Sequence, residues 1–236
     1  MRILAISGSP RARSFTHWLL NLFLEGCATP ADVVKPHELK FGHCRACFHC
    51  WVADPGRCVQ DDDLTGVLKL MDEADAIILA VPLYVDGMPG PVKTMLDRVI
   101  PLLEYTFAAD AAGHTRHPRR RYKHQRTVLL SSCAFPEADN FDSLRAHFAA
   151  VCRNAGWHWA GELLVPGAGR SAYPGMMDET YAMLKRAGQE FAAGRDIASD
   201  VTAALLNPTV APEAYRQRLN DWFAEDVEEY RRRRQS

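Results

Sequence analysis

The sequence predicts an α/β fold in which a parallel, five-stranded sheet lies between two layers of helices. Short continuous apolar runs, typical of parallel strands buried on both faces, recur along the chain. Each run is followed by apolar residues at helical spacing, and this alternation favours a parallel sheet with right-handed crossovers. Hydrophobic residues make up 47% of the 236 residues, which is enough to bury such a sheet.

The five predicted strands are bounded by turn residues or by the following helix. They are residues 2–7, 33–39, 74–82, 126–132 and a fifth segment that ends at Val165. We expect residues 1–195 to form one α/β domain and residues 196–236 to form a helical C-terminal extension, with a helix from Glu213 onwards.

The helices are predicted from apolar residues that share one face. The first has Ser14 or Thr16 as its candidate N-cap and Gly26 as its candidate end. The second covers residues 62–71, and the third begins at Pro89 or Pro91. Apolar positions that mark the third and later helices are Val92, Met95, Leu96, Val99, Leu103, Phe141, Leu144, Phe148, Val151, Cys152, Tyr181, Leu184 and Phe191.

Charge and hydropathy restrict the classes of partner. There are 28 Lys and Arg against 29 Asp and Glu, so the net charge of -1 provides no general attraction to nucleic acid or to an anionic membrane. A basic loop at residues 113–126 has few aromatic residues for base stacking, and we interpret it as solvated or as a lid or subunit contact. No apolar run is long enough for a signal peptide or a membrane span, so we expect a cytoplasmic protein.

Three loops should form one candidate pocket, because ligands of open α/β sheets bind beyond the carboxyl ends of the strands. The first, residues 8–16, offers hydroxyls, arginine and the N–H groups of a helix N-terminus, all suited to a phosphate. A simpler alternative is that Ser9 and Ser14 only cap the helix. The second loop, residues 82–89, offers an aromatic side chain, a glycine and exposed amides where a flat ring could lie. The third is residues 131–135.

The motifs GSPR, PLYVDGMPGPVKTMLDR and a Cys-rich segment ending in DDD resemble the flavodoxin-like NAD(P)H-dependent FMN reductases and iron-sulfur flavoproteins. The resemblance covers most of the first 170 residues. It implies a flavodoxin-like, three-layer fold with strand order 2-1-3-4-5, FMN at the switch point, NAD(P)H as reductant, and a homodimer or homotetramer.

The resemblance also implies which residues would contact FMN. Ser9, Arg11, Ser14, Phe15 and Thr16 would surround the phosphate, and Pro82, Leu83, Tyr84, Val85, Asp86 and Gly87 would border the isoalloxazine ring. The third loop departs from the glycine-containing form of the family, and Ser132 and Cys133 are its candidate contacts. No catalytic residue is predicted, because the flavin itself would perform the chemistry.

Four of the seven cysteines, Cys44, Cys47, Cys50 and Cys58, have the spacing C-x2-C-x2-C-x7-C. This spacing resembles the cluster motif of iron-sulfur flavoproteins and would suit a [4Fe–4S] cluster. A structural zinc ion is an alternative, as are thiols packed beside the flavin that oxidise in pairs. Cys27 and Cys152 are interpreted as small buried apolar residues.

Three functions are consistent with these patterns. The first is an FMN-dependent oxidoreductase that uses NAD(P)H to reduce a quinone, a flavin or a similar small-molecule acceptor. The second is an iron-sulfur flavoprotein that carries electrons between protein partners without its own NAD(P)H turnover. The third is a redox sensor.

Overall fold

The computed structural model describes residues 1–168, 176–207 and 211–235. It contains seven strands in this part of the chain. They are β1 (Ile3–Ser7), β2 (Ala31–Val34), β3 (Ala76–Pro82), β4 (Ala108–Ala109), β5 (Thr115–Arg116), β6 (Arg126–Ser132) and β7 (His158–Val165).

The same residues form eight α-helices. They are α1 (Phe15–Cys27), α2 (His49–Val52), α3 (Leu64–Glu73), α4 (Gly90–Asp97), α5 (Asp142–Ala155), α6 (Met176–Ala192), α7 (Ser199–Leu206) and α8 (Pro212–Gln235). Residues 208–210 and 236 of the predicted extension lie outside the described residues.

The main sheet is parallel, with the order β2-β1-β3-β6-β7. Numbered among themselves, its strands have the order 2-1-3-4-5, so the predicted fold is confirmed. Strands β4 and β5 form a separate antiparallel hairpin, which the sequence did not predict, and only β5 belongs to the basic loop. The order reverses between β1 and β3, and this switch point places the loops after β1 and β3 side by side.

Two apolar layers cover the sheet because successive strand residues face opposite sides. Leu4 and Ile6 pack in the layer that contains α3, α4 and α5. Ile3 and Ala5 pack in the layer that contains α1, α6 and α7. The protein is therefore a three-layer sandwich.

Helix α1 ends differently from the prediction. It continues past Gly26 to Cys27, and Ala28 caps it in the left-handed conformation with φ 48°. Gly26 instead lies against α6, where an added Cβ would be 2.3 Å from the carbonyl oxygen of Lys185. Gly188 of α6 lies equally close to α1, so this glycine pair lets the two helix backbones touch.

Two other predicted boundaries were wrong. Strand β2 covers Ala31–Val34 and not residues 33–39, because Pro36 begins a 3₁₀ turn and has no N–H for a strand ladder. Helix α4 ends at Asp97, so Val99 and Leu103 lie beyond it, on either side of a second 3₁₀ turn.

The C-terminal helices differ in their burial. Val201 and Leu205 of α7 are buried in the layer beside β7. Helix α8 is mostly exposed, although Tyr215 is buried near its start. The domain boundary at residue 195 stays a prediction. In the described ranges, no helix combines the length and apolar content needed to cross a membrane.

Candidate functional site

The three predicted loops meet at the carboxyl end of the sheet. The N–H of Gly8 donates to the carbonyl of Ala80, at 2.8 Å, and joins the first loop to β3. The N–H of Leu83 donates to the carbonyl of Ser132, at 2.9 Å, and joins the second loop to the third. Thr16 Oγ1 and Ser132 Oγ share a hydrogen bond of 2.7 Å between the first and the third.

The first loop leads into the N-terminus of α1. Ser14, one of the two predicted candidates, is the N-cap, and its hydroxyl accepts a hydrogen bond from the N–H of His17 at 3.3 Å. Ser9 is buried, and its hydroxyl accepts from the N–H of Arg11, whose side chain is exposed. Phe15 stacks on Trp18 with ring centroids 5.6 Å apart. The capping role of Ser14 and a phosphate site at the helix N-terminus are compatible, because only some N–H groups of the first turn are used by the cap.

The loop after β1 also requires a glycine. A Cβ at Gly8 would lie 2.8 Å from Val92 Cγ2 and 2.9 Å from Val81 Cγ1. The absence of a side chain therefore allows the backbone to pass directly between β3 and α4, which brings residues 9–16 close to the other two loops.

The second loop is a tight turn with exposed central residues. Tyr84 and Gly87 exchange backbone hydrogen bonds of 2.9 and 3.2 Å. Between them, Val85 and Asp86 have φ of 45° and 60°, and the side chain of Val85 is 98% exposed. A β-branched residue is unfavourable in this left-handed conformation. Strain of this kind is concentrated at binding sites in other proteins.

The third loop is buried at its start and exposed at its tip. Cys133 is buried, its N–H donates to the carbonyl of Val165 at 3.3 Å, and its thiol donates to the carbonyl of Phe135 at 3.2 Å. Phe135 is 63% exposed. The backbone N–H of Cys133 is thus engaged within the protein, and the contacts of Ser132 and Cys133 with a ligand stay predictions.

This arrangement fits the parts of FMN. Arg11, the α1 N-terminus and the hydroxyls of Ser9 and Thr16 suit an anionic phosphate. Pro82 and Leu83 lead to the exposed aromatic ring of Tyr84, beside which a flat ring system could lie. His17 beside this end of α1 has its pKa lowered by burial and by Lys35, with Ser7 Oγ 3.1 Å from its Nδ1.

The four cysteines of the spaced motif line one cavity of about 310 Å³. Left-handed backbone at Ala46 and Phe48, with φ of 50° and 53°, turns the chain between the first three cysteines. Cys50 is buried, whereas Cys47 is exposed. Burial and the neighbouring thiols, Cys58 first among them, raise the pKa of Cys50.

Four thiols from one segment line this cavity, a donor set whose chemistry fits an iron-sulfur cluster. Among the residues that the structure describes, no three His, Cys, Asp or Glu side chains meet closely enough to hold one metal ion. The ligands of a four-iron cluster need not meet at one point, because each thiolate binds a different iron. None of the seven cysteines, all of them described, forms a disulfide. Cys27 and Cys152 are buried, as predicted.

Arg98 is the residue of this site that sequence reasoning missed. Its side chain is 1% exposed, and its guanidinium pairs with Asp62 at 2.5 Å and donates to Cys58 Sγ at 3.2 Å. Although burial opposes it, hydrogen bonding to Asp62 and Cys58 raises the pKa of Arg98. The pKa of Asp62 is held below its usual range by hydrogen bonds from Arg98 and Gly42, against the effect of its own burial. The sequence feature that could have revealed Arg98 is its position as a charged residue directly after the apolar helix α4.

The basic loop is held to the body of the protein by ion pairs. Arg119 pairs with Asp72 at 3.4 Å, and Lys123 pairs with Asp75 at 2.7 Å. Arg120 also lines a second cavity, of about 210 Å³, which shares Cys58 with the cysteine cavity. Most charges of this loop are therefore paired within the protein.

A parallel sheet of this order, with three loops joined at its switch point, defines a flavodoxin-like α/β protein. Residues 1–139 match the profile of the family described as NADPH-dependent FMN reductase. This match covers more than half of the chain, which therefore belongs to the NADPH-dependent FMN reductase family.

Curated relatives of similar sequence are iron-sulfur flavoproteins. One from Archaeoglobus fulgidus is 36% identical over 101 residues, which are 42% of this chain and 48% of the relative. Another, from Methanosarcina thermophila, is 34% identical over 113 residues, which are 46% of this chain and 57% of the relative. The chain thus spans about half the length of the curated relatives it matches.

Solved structures show the same fold. A quinone reductase from Klebsiella pneumoniae, described as putative, aligns with a TM-score of 0.63 and 18% identity, covering 90% of this chain and 96% of that one. An NAD(P)H:quinone oxidoreductase from Methanothermobacter marburgensis aligns with a TM-score of 0.60 and 17% identity, covering 81% of this chain and 98% of that one.

Proposed function

We propose that the protein is an FMN-dependent oxidoreductase that uses NAD(P)H to reduce a quinone, a flavin or a similar small-molecule acceptor. The observation that carries this proposal is the joining of three loops by the Thr16–Ser132 hydrogen bond and two backbone hydrogen bonds. Membership of the FMN reductase family and likeness to quinone reductases support it.

Two groups of residues have separate roles in this proposal. Residues of the first loop bind the phosphate, because the positive end of the α1 dipole and the Arg11 charge favour an anion. Residues of the second and third loops border the ring, and the exposed turn at Val85 leaves space for an acceptor. Bound flavin supplies hydride acceptance and release of electrons singly or in pairs.

The second part of the proposal is a [4Fe–4S] cluster in the cysteine cavity. Cys44, Cys47, Cys50 and Cys58 are its ligands. Their shared cavity supports this part, as does the name of the relatives, iron-sulfur flavoprotein. Together with the flavin, such a cluster would let the protein exchange electrons one at a time.

The cysteine cavity also favours a second candidate function, an electron carrier that exchanges electrons with protein partners and does not turn over NAD(P)H. The two functions differ in their reductant. An enzyme is reduced at once by NADPH or NADH, whereas a carrier is reduced only by a protein donor or by dithionite.

We further propose that the protein works in the reducing cytoplasm as a homodimer or homotetramer. The exposed aromatic residues of α8 support the oligomer, because exposed apolar patches are typical of protein interfaces. They include Trp222, Phe223 and Tyr230, which are 53%, 56% and 62% exposed. The overall charge of -1 speaks against nucleic acid as a partner.

The test is an anaerobic absorbance spectrum of the freshly purified protein, with iron and acid-labile sulfide assayed on the same sample and NADPH then added. Flavin absorption that bleaches with NADPH supports the enzyme, and protein without flavin after incubation with FMN contradicts it. Iron and sulfide support the cluster. A Cys47→Ser variant should lose iron and keep FMN, while Cys152→Ser, which removes a buried thiol outside the cavity, should keep both.

A further inference from the structure

One buried arginine, Arg98, binds the chain on both sides of the cysteine segment, residues 44–58. Arg98 Nη1 donates to the carbonyl of Gly42 at 3.2 Å, and Nη2 donates to the carbonyl of Gln60 at 3.3 Å. Gly42 lies two residues before the first cysteine of the segment, and Gln60 lies two residues after the last. The guanidinium therefore joins the start and the end of the whole segment.

The fourth cysteine depends on this contact more than the first three. Cys44, Cys47 and Cys50 are close in sequence and are positioned by the local turns at Ala46 and Phe48. Cys58 lies eight residues beyond Cys50, and the local hydrogen bond from the N–H of Gly56 to the carbonyl of Cys50, at 3.0 Å, ends two residues before it. Arg98 Nη2 provides the fixed point, 3.2 Å from Cys58 Sγ.

The chemistry of this contact goes beyond packing. Arg98 donates to two carbonyls and one carboxylate, as a structural arginine does, but it also donates to Cys58 Sγ, and a thiol sulfur is only a weak acceptor. A thiolate is a much better acceptor of a charged donor. The geometry of Arg98 is therefore suited to a Cys58 that is ionised, as it is when it binds a metal.

We propose that Arg98 is a positioning residue that fixes Cys58 as the fourth cluster ligand and makes the bound cluster easier to reduce. This inference rests on the proposed cluster. A hydrogen bond to a ligand sulfur, a nearby positive charge and burial all contribute to the reduction potential of an iron-sulfur site. Reduction adds negative charge, so the Arg98 guanidinium stabilises the reduced form more than the oxidised form.

The experiment compares the wild type with Arg98→Met, Arg98→Lys and Arg119→Met after anaerobic reconstitution. Arg119 is a matched control, because it is also a mostly buried arginine paired with an aspartate, and it binds no cysteine in the described contacts. Iron and sulfide are assayed first, and the cluster potential is then followed by electron paramagnetic resonance. The FMN potential of each variant serves as an internal reference.

We expect Arg98→Met to lose iron while it keeps its FMN affinity, or to hold a cluster that is harder to reduce. The ratio of reduced to oxidised cluster at a fixed potential should fall at least tenfold, which for a one-electron couple is about 59 mV. Arg98→Lys should recover part of this loss, since it keeps the charge. Arg119→Met should leave the potential unchanged.

A fully loaded Arg98→Met protein with the wild-type potential would overturn the inference. A wild-type protein without iron after reconstitution would overturn both the proposed cluster and the proposed role of Arg98. The proposed oxidoreductase function would then be tested separately, by FMN binding. If Arg98→Met does not fold, Asp62→Asn is the second variant. It removes the carboxylate that offsets the Arg98 charge, so its cluster should be easier to reduce, and an unchanged potential would contradict the inference.

Discussion

The hydroxyls of Thr16 and Ser132 lie 2.7 Å apart and are both buried, although the residues are 116 positions apart in the chain. Thr16 belongs to the first turn of α1, and Ser132 is the last residue of β6. Their hydrogen bond fixes the distance between the loop assigned to the FMN phosphate and the loop at the edge of the ring. The width of the proposed pocket therefore depends on this pair.

We expect Thr16→Val to weaken FMN binding. Valine has a similar shape but leaves the buried Ser132 hydroxyl without its partner, a loss of about 1–3 kcal/mol for such a group. The dissociation constant of FMN, measured by quenching of flavin fluorescence, should rise roughly tenfold. Thr202→Val is the control, because the Thr202 hydroxyl bonds to the Glu162 carbonyl away from the loops. Equal effects of both variants would contradict the prediction.

Arg11→Ala should separate the binding of FMN from that of riboflavin. A charged hydrogen bond is worth about 1.5–3 kcal/mol, so FMN affinity should fall roughly 10- to 100-fold. Riboflavin has no phosphate, and its affinity should not change. Calorimetric titration with both ligands measures this difference, and Arg153→Ala, an exposed arginine of α5, should affect neither. A similar loss for riboflavin would place the phosphate elsewhere.

The sequence predicted the parts of the molecule that depend on local pattern. Apolar runs and helical spacing predicted a parallel five-stranded sheet, and the family resemblance implied its strand order. The spacing of the four cysteines predicted a shared site, and all four line one cavity. The predicted end of α1 at Gly26 was wrong, because Gly26 is needed for the close contact with α6 and does not end the helix. Arg98 was missed for the same reason, since its partners lie 36 to 56 residues away.

The contact between α1 and α6 predicts opposite effects for two kinds of glycine. At Gly26 an added Cβ would be 2.3 Å from the carbonyl of Lys185, and at Gly188 it would be 2.2 Å from that of Phe23. Gly26→Ala and Gly188→Ala should each destabilise the protein by about 1–3 kcal/mol, because the helices must separate. Gly66→Ala in α3, where no atom lies within 4 Å, should stabilise it by up to about 1 kcal/mol. Denaturant unfolding measures all three, and a stable Gly26→Ala protein would contradict the close contact.

The turn at Tyr84–Gly87 should become more stable without its β-branched residue. Val85 has φ 45°, a conformation that costs most residues about 1–2 kcal/mol and glycine almost nothing. After the added flexibility of the unfolded chain is subtracted, Val85→Gly should gain roughly 0.5–1 kcal/mol. Val52→Gly, at another exposed valine but within α2, should not stabilise the protein. An equal response of the two variants in thermal unfolding would argue against strain at Val85.

The thiols of the metal-free protein should react in a fixed order. Burial raises the pKa of Cys27 to about 12 and that of Cys152 to about 11, and the thiolate is the reactive form. Both should stay unmodified by iodoacetamide at pH 8, whereas exposed Cys47 should react first. Mass spectrometry of digested protein identifies the sites. Early modification of Cys27 or Cys152 would contradict their burial. When the proposed cluster is bound, Cys47 should no longer react with iodoacetamide.

The position of the cysteine segment and of Arg98 in the chain has a consequence for synthesis on the ribosome. All residues that line the cysteine cavity lie between positions 43 and 101, so this cavity is encoded within the first half of the chain. The loops proposed to bind FMN extend to about position 135, and Ser132 of the third loop bonds to Thr16 of the first. As the chain emerges from the ribosome, the four proposed metal ligands are therefore synthesised before the residues that complete the proposed flavin pocket.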